Sequence, residues 1–129
     1  MRNRPQSADP GRVAVICAVA WALPGAGHLW QGRGSKGIVF LLALPLMFMI
    51  GLGLDGELFA IDPSQPLVAL AGLADLGIGV PYLLALAFGA GGGDAAAGTY
   101  EYGNTFLIVS GLLNVLVVMD AFDIAQGRK

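Results

Sequence analysis

Leu23-Pro24-Gly25-Ala26-Gly27-His28-Leu29-Trp30-Gln31-Gly32-Arg33-Gly34-Ser35-Lys36-Gly37 decides the architecture, because it separates two apolar runs and holds the chain's only histidine. Upstream, Val13 to Leu23 is an unbroken apolar run that stops at Pro24, where the ring removes a donor and biases the preceding residue away from helix. Alone it is too short to cross a bilayer, which takes roughly 18 to 20 apolar residues. It spans only if a near-helical path continues through Gly27-His28-Leu29-Trp30. A cleaved signal peptide is the competing possibility, given the basic start and short apolar core. Direct continuation into another hydrophobic run argues against it.

Composition sets the class. The chain is 56% apolar and 12% charged, with a mean hydropathy of +0.71, so it carries about half the charge of a soluble domain. The apolar residues are gathered into long runs, and 129 residues leave room for about four membrane segments and no separate soluble domain. A net charge of -2 excludes a polyanion-binding role, so no nucleic-acid partner is expected. The single cysteine, Cys17, excludes a disulfide framework or cysteine metal cluster.

The expected fold is an all-α integral membrane bundle of four segments, about 13–30, 37–54, 67–90 and 105–122, with the first short and broken at Pro24. Residues 13–123 form the single transmembrane domain, between a disordered cytoplasmic tail at 1–12 and a basic cytoplasmic tail at 124–129. Pro45 predicts a kink in the second span, and Asp75 and Pro81 interrupt the third. With four spans, Arg2, Arg4, Arg12, Arg128 and Lys129 share one face, which the distribution of basic residues makes cytoplasmic. Arg33 and Lys36 then fall on the other face, beside Asp94, Glu101, Tyr100 and Tyr102. A re-entrant first segment with three true spans fits that charge pattern nearly as well.

Asp75 most needs a reason, since an ionisable group in hydrocarbon costs on the order of 3 kcal/mol and usually faces a partner or water. Helical rise puts it about 12 Å from one end of its span, at a depth similar to Asn114 in the antiparallel fourth span. Asp75 shares a face with Ala71, Gly72, Gly79 and Tyr82, and Asn114 with Leu107, Ser110, Gly111 and Val118. Small residues around a polar one let membrane helices approach closely. An Asp75 to Asn114 contact is therefore expected, acting as packing glue or as a proton or cation site. His28 falls about 22 Å from the cytoplasmic side on the same arithmetic, as an interfacial histidine hydrogen-bonded to backbone or as a proton-sensing group.

Gly25-x-Gly27-x-x-Trp30 lacks the last glycine of a dinucleotide fingerprint, and Gly27-x-x-x-x-Gly32-Arg33-Gly34 lacks the Lys-Ser/Thr of a phosphate loop. A compact turn at the membrane surface fits better, with Gly25, Gly27, Gly32, Gly34 and Gly37 permitting close backbone approach and Trp30, Arg33 and Lys36 at headgroup level. The pattern Pro24-Gly25-x-Gly27-His28-x-x-x-Gly32-Arg33-x-x-Lys36-Gly37 resembles the turn of small prokaryotic membrane proteins related to the TM-two domain family. Where that family has Arg-Phe-Tyr after the histidine, this chain has Leu29-Trp30-Gln31. Tyr100 to Thr105 and Met119 to Lys129 are similar to a family of uncharacterised bacterial membrane proteins with the same turn. The resemblance implies a multi-span membrane protein and no reaction.

These features together suggest a small non-enzymatic protein of the bacterial inner membrane with both termini cytoplasmic. It would be embedded in the lipid bilayer as an accessory subunit, assembly factor or homo-oligomer, with a protein partner or further copies of itself and no cofactor or metal. The alternative is a minimal transport or proton-responsive module using Asp75.

Overall fold

A computed structural model describes residues 9–127. The expected tail residues 1–8 and the basic pair Arg128-Lys129 lie outside the described residues. Among those described, the chain is all-helical, with one isolated bridge between Glu57 and Gly92 and no strand. The helices are α1 (Pro10–Ala22), α2 (Ala26–Trp30), α3 (Gly34–Gly53), α4 (Pro66–Leu76), α5 (Val80–Ala87) and α6 (Tyr100–Ala125).

The 26-residue α6 is the axis. Two helices, α3 and α6, are long and apolar enough to cross a membrane, and no charge interrupts either in its apolar middle. They run antiparallel. Lys36 at the start of α3 lies beside Asp120 near the end of α6, and Gly51 at the end of α3 packs on Leu107 and the Gly103 carbonyl.

The segment expected at 13–30, broken at Pro24 and with a re-entrant path as its alternative, and the segment expected at 67–90, interrupted at Asp75 and Pro81, are both helical hairpins rather than single helices. Residues 10–12, expected in the tail, already form the first turn of α1, because the Asp9 carboxylate caps the Gly11 amide at 3.2 Å and Pro10 suits the first helical position. Before Pro24 the helix stops, with Leu23 extended at φ -130°, and Gly25 takes φ +87°, a conformation that suits glycine. The chain then reverses. Ala20 and Gly27 would be about 10 Å apart along one helix, yet a Cβ built on Gly27 would come 2.7 Å from that of Ala20. Val13, Ile16 and Ala20 pack on Ala121 and Ala125, so α1 enters beside the C-terminal end of α6 and α2 returns there.

The segment expected at 67–90 breaks at Gly77-Ile78-Gly79, where α4 and α5 are bent by 109°. α4 comes from the opposite end of α6. The loop before it is tied there by Glu57 N donating to Asn104 Oδ1 (2.7 Å), and Tyr100 Oη donates to Glu57 Oε1 (2.7 Å). Ser64 donates its amide (3.0 Å) and hydroxyl (2.9 Å) to Asp62, which holds that carboxyl below the usual carboxylate range. After the break, α5 lies along the second half of α3 and leads back to Gly91 and Asp94, which hydrogen-bond Leu58 and Asp55. Leu44, Phe48, Ile78, Tyr82, Leu107 and Val117 form the main apolar core between α3, α5 and α6.

Candidate functional site

The two hairpins enter from opposite ends of α6 and meet at its middle. Asn114 stands there, about 21 Å from Tyr100 and 17 Å from Ala125 by helical rise. Its Nδ2 donates to the Trp21 carbonyl at the end of α1 (3.0 Å) and to the Gly77 (2.8 Å) and Ile78 (3.3 Å) carbonyls in the α4–α5 break. The last carbonyls of a helix have no partner in their own ladder, and inside an apolar core something must supply one. Trp21 closes the junction from the other side, donating Nε1 to the Leu76 carbonyl at 3.0 Å. Glycine makes these approaches possible. A Cβ on Gly111 would overlap the Ala74 carbonyl, and one on Gly79 the Trp21 carbonyl.

Asp75 and Asn114 both lie at this junction and both are fully buried, but each has partners other than the other. Asp75 Oδ2 accepts from the Phe59 amide at 3.1 Å, so the carboxylate pins the preceding loop to α4. Of the small residues expected to bring α4 and α6 close, Gly111 meets Ala74, whereas Gly72 packs on the Phe59 carbonyl and Ile61 of the preceding loop and not on α6. Asp75 Oδ1 and Asn114 Oδ1 are buried with no hydrogen-bond partner.

A second polar cluster lies nearer the C-terminal end of α6. His28 is fully buried, its Nε2 2.7 Å from Asp120 Oδ2 and its ring edge-on to Phe40 at 5.1 Å. Lys36 Nζ donates to the same Asp120 oxygen at 3.4 Å, and Gln31 Nε2 donates to the Ala121 carbonyl at 3.0 Å. The glycine turn is thus fastened to α6. Gly25 lies against the Gly37 carbonyl and Gly37 against Leu29, the close approach for which those glycines were singled out, whereas Gly32, at φ +79°, turns the chain in open space. Lys36 does not face Asp94 or Glu101, because the reversal at Pro24-Gly25 brings the turn back to the end of α6 remote from Tyr100. The partner of His28 is a side chain 92 residues away rather than the turn's backbone. Its sequence signal was Asp120 itself, an acid in the last quarter of an apolar segment.

Asp120→Ala is expected to destabilise the protein in detergent by about 2 kcal/mol, because it strands both ring nitrogens of buried His28. Lys36→Ala, at a half-exposed side chain, is expected to cost under about 1 kcal/mol. Unfolding by graded addition of SDS to mild detergent would measure both. Among the described residues no three His, Cys, Asp or Glu side chains gather as a metal-ligand set. Two apolar grooves flank α3: about 210 Å³ lined by Phe40, Leu44, Leu113 and Asp120, and about 440 Å³ between Pro45, Phe48, Pro81 and Phe88.

Residues 15–129 match the model of a family described as a family of unknown function (DUF6677). That match does not extend to the TM-two domain family. No curated protein and no solved structure matches the chain.

Proposed function

The chain belongs to the DUF6677 family, and from that premise we propose a small, non-enzymatic integral membrane protein of the bacterial inner membrane, with both termini cytoplasmic, that works through helix contacts. Its partners are the lipid bilayer and either another membrane protein or further copies of itself. In this reading α3 and α6 cross the bilayer, and the α1–α2 and α4–α5 hairpins re-enter it from opposite faces. Helical rise gives the 20 residues of α3 a length of about 30 Å, the thickness of the hydrocarbon layer. Leu42, Met49, Leu70 and Leu116, each more than half exposed, then face lipid. Non-spanning backbone at membrane depth is tolerated where protein buries it, and here α6 and Asn114 do so.

Charge segregation carries this reading. Arg12, Arg33 and Lys36 lie at the end of α6 near Ala125, and Arg2, Arg4, Arg128 and Lys129 adjoin that end in sequence. Asp55, Glu57, Asp62, Asp94 and Glu101 occupy the loops and helix start at the other end. The described lysine and arginines thus belong to one side, as a cytoplasmic face requires, and the conflict posed by Arg33 and Lys36 under four spans disappears.

Single cysteines at Ser35 and Ser64, in a Cys17→Ser background, test it with a membrane-impermeant maleimide. Position 35 is expected to label only from the cytoplasm and position 64 only from outside, whereas labelling of both from one side overturns the topology. Affinity purification in mild detergent tests the role. A stoichiometric partner or a defined oligomer supports it, and a solitary monomer overturns it. The alternative, a minimal transport or proton-responsive module using Asp75, is favoured by one observation: the buried, unpartnered Oδ1 of that carboxyl.

A further inference from the structure

Hydrogen-bond acceptors outnumber donors where the two hairpins meet. α1 and α4 both end there, and a helix C-terminus presents unpaired carbonyls and the negative end of its dipole. The donors brought to them are Trp21 Nε1, the Asn114 amide group and the Phe59 N–H. They serve the carbonyls of Trp21, Leu76, Gly77 and Ile78 and one oxygen of Asp75. Asp75 Oδ1 and Asn114 Oδ1 are left over, on fully buried side chains.

No compensating cation comes from the described residues. Lys36 is engaged with Asp120, about 9 Å further along α6 from Asn114, and Arg12 and Arg33 belong to the same end. Tyr82 of α5 is a titratable side chain close enough to feel the charge of Asp75. α6 presents Ser110, Gly111 and Asn114, and α1 presents Trp21. An ionised Asp75 would thus be a lone charge in an acceptor-rich pocket, an arrangement that strongly favours capture of a positive ion. Packing selects which one. Gly111 and Gly79 lie against the Ala74 and Trp21 carbonyls with no room for a methyl group between them, so the seam is tight there, and a proton is the positive ion that needs no room of its own.

We propose that the hairpin junction is a proton-binding site, with Asp75 the group that carries the proton, on the carboxyl oxygen that has no partner. The proposal deepens the proton-responsive alternative and rests on the membrane placement above. The proton comes from water and returns to it. Bound, it turns Oδ1 from a surplus acceptor into the donor that the junction lacks, and the seam between the hairpins is dry and closed. Released, it leaves a carboxylate whose free oxygen must be hydrated, so water enters at Gly77-Ile78-Gly79 and the α4–α5 hairpin loosens against α6.

Infrared spectroscopy of the full chain in lipid nanodiscs, titrated with pH, tests this directly. The expected result is a protonated-carboxyl carbonyl band at neutral pH that is absent from Asp75→Asn and disappears reversibly on raising the pH. Amide hydrogen exchange at Gly77 to Gly79, measured at each pH and corrected for its intrinsic pH dependence, is expected to rise about tenfold or more as the band disappears. In Asp75→Asn it is expected to stay slow throughout. A carboxylate signal for isotope-labelled Asp75 at neutral pH in the wild type overturns the proposal, whether or not the variant folds. Loss of the band on adding sodium at constant pH overturns it in favour of a metal-cation site. Correct sidedness at positions 35 and 64 with an ionised Asp75 would sink this proposal alone, whereas wrong sidedness would sink the membrane placement.

Discussion

Gly79→Ala is expected to remove most of the folded protein from the membrane, a loss of more than about 3 kcal/mol, the largest effect of any single methyl group added to this chain. Two costs coincide there. Gly79 has φ +89° and ψ -130°, a conformation that side-chain-bearing residues avoid at a cost of about 1 to 3 kcal/mol. Its Cβ would also overlap the Trp21 carbonyl and come 2.8 Å from that of Ala22, so α1 must back away from the α4–α5 break. Gly111→Ala separates these causes. Gly111 is helical, and replacing it with alanine gains about 1 kcal/mol of helix propensity, so any net loss there reports the collision with the Ala74 carbonyl alone. About 2 kcal/mol of net destabilisation is expected. Gly53→Ala is the control: it adds its methyl group to open space in the last turn of α3 and is expected to be neutral or slightly stabilising. SDS titration of helicity in mixed micelles measures all three. A Gly79→Ala protein within about 0.5 kcal/mol of wild type would mean that the hairpins do not pack in the opposed arrangement.

The spans expected at 37–54 and 105–122 correspond to α3, Gly34–Gly53, and α6, Tyr100–Ala125, because an unbroken apolar length is itself the physical requirement for a membrane-crossing helix. The hairpins were not legible from the same signal. Apolar composition is identical for a segment that crosses and one that turns back, and only Pro24-Gly25 and Gly77-Ile78-Gly79 distinguish them. Pro24 signals a local break, for which the charge pattern admits re-entry of the first segment only as an alternative, and Gly79 reads as part of a small-residue face. Both are places where the backbone reverses. The misplacement of His28 follows from that one error. Measured along a continuous segment it lies deep toward the far side, whereas reversal at Gly25 returns it to Asp120. Asp75 and Asn114 were placed at a common depth because helical rise is insensitive to what the helices do beyond them. Their partners were hidden for another reason. The groups they bond, at Trp21, Phe59, Gly77 and Ile78, are backbone atoms freed by helix ends or held in a loop, and a helical net displays only side chains.

Asn114→Ala is expected to cost about 2 kcal/mol, because one amide group serves carbonyls from two hairpins at once. Individual hydrogen bonds inside membranes average about 0.6 kcal/mol, since an unfolded chain in lipid also finds partners. Asn114 should exceed that average because the Trp21, Gly77 and Ile78 carbonyls sit at chain breaks, where no neighbouring turn can offer a replacement. Asn114→Asp sharpens the test. It keeps the shape and removes both donor hydrogens, so it is expected to lose at least as much as alanine if the amide is what matters. Ser110→Ala, four residues away and also buried, removes only a bond from Ser110 Oγ to the Leu107 carbonyl of its own helix and is expected to cost under about 1 kcal/mol. Trp21→Phe deletes the other tie, Nε1 to the Leu76 carbonyl. Because both ties join α1 to α4, losing one should loosen the geometry the other needs. The double variant should therefore depart from additivity by at least about 0.5 kcal/mol. Additive losses would mean that the two hairpin ends touch without holding each other, and the junction could not then transmit a change at Asp75 from one to the other.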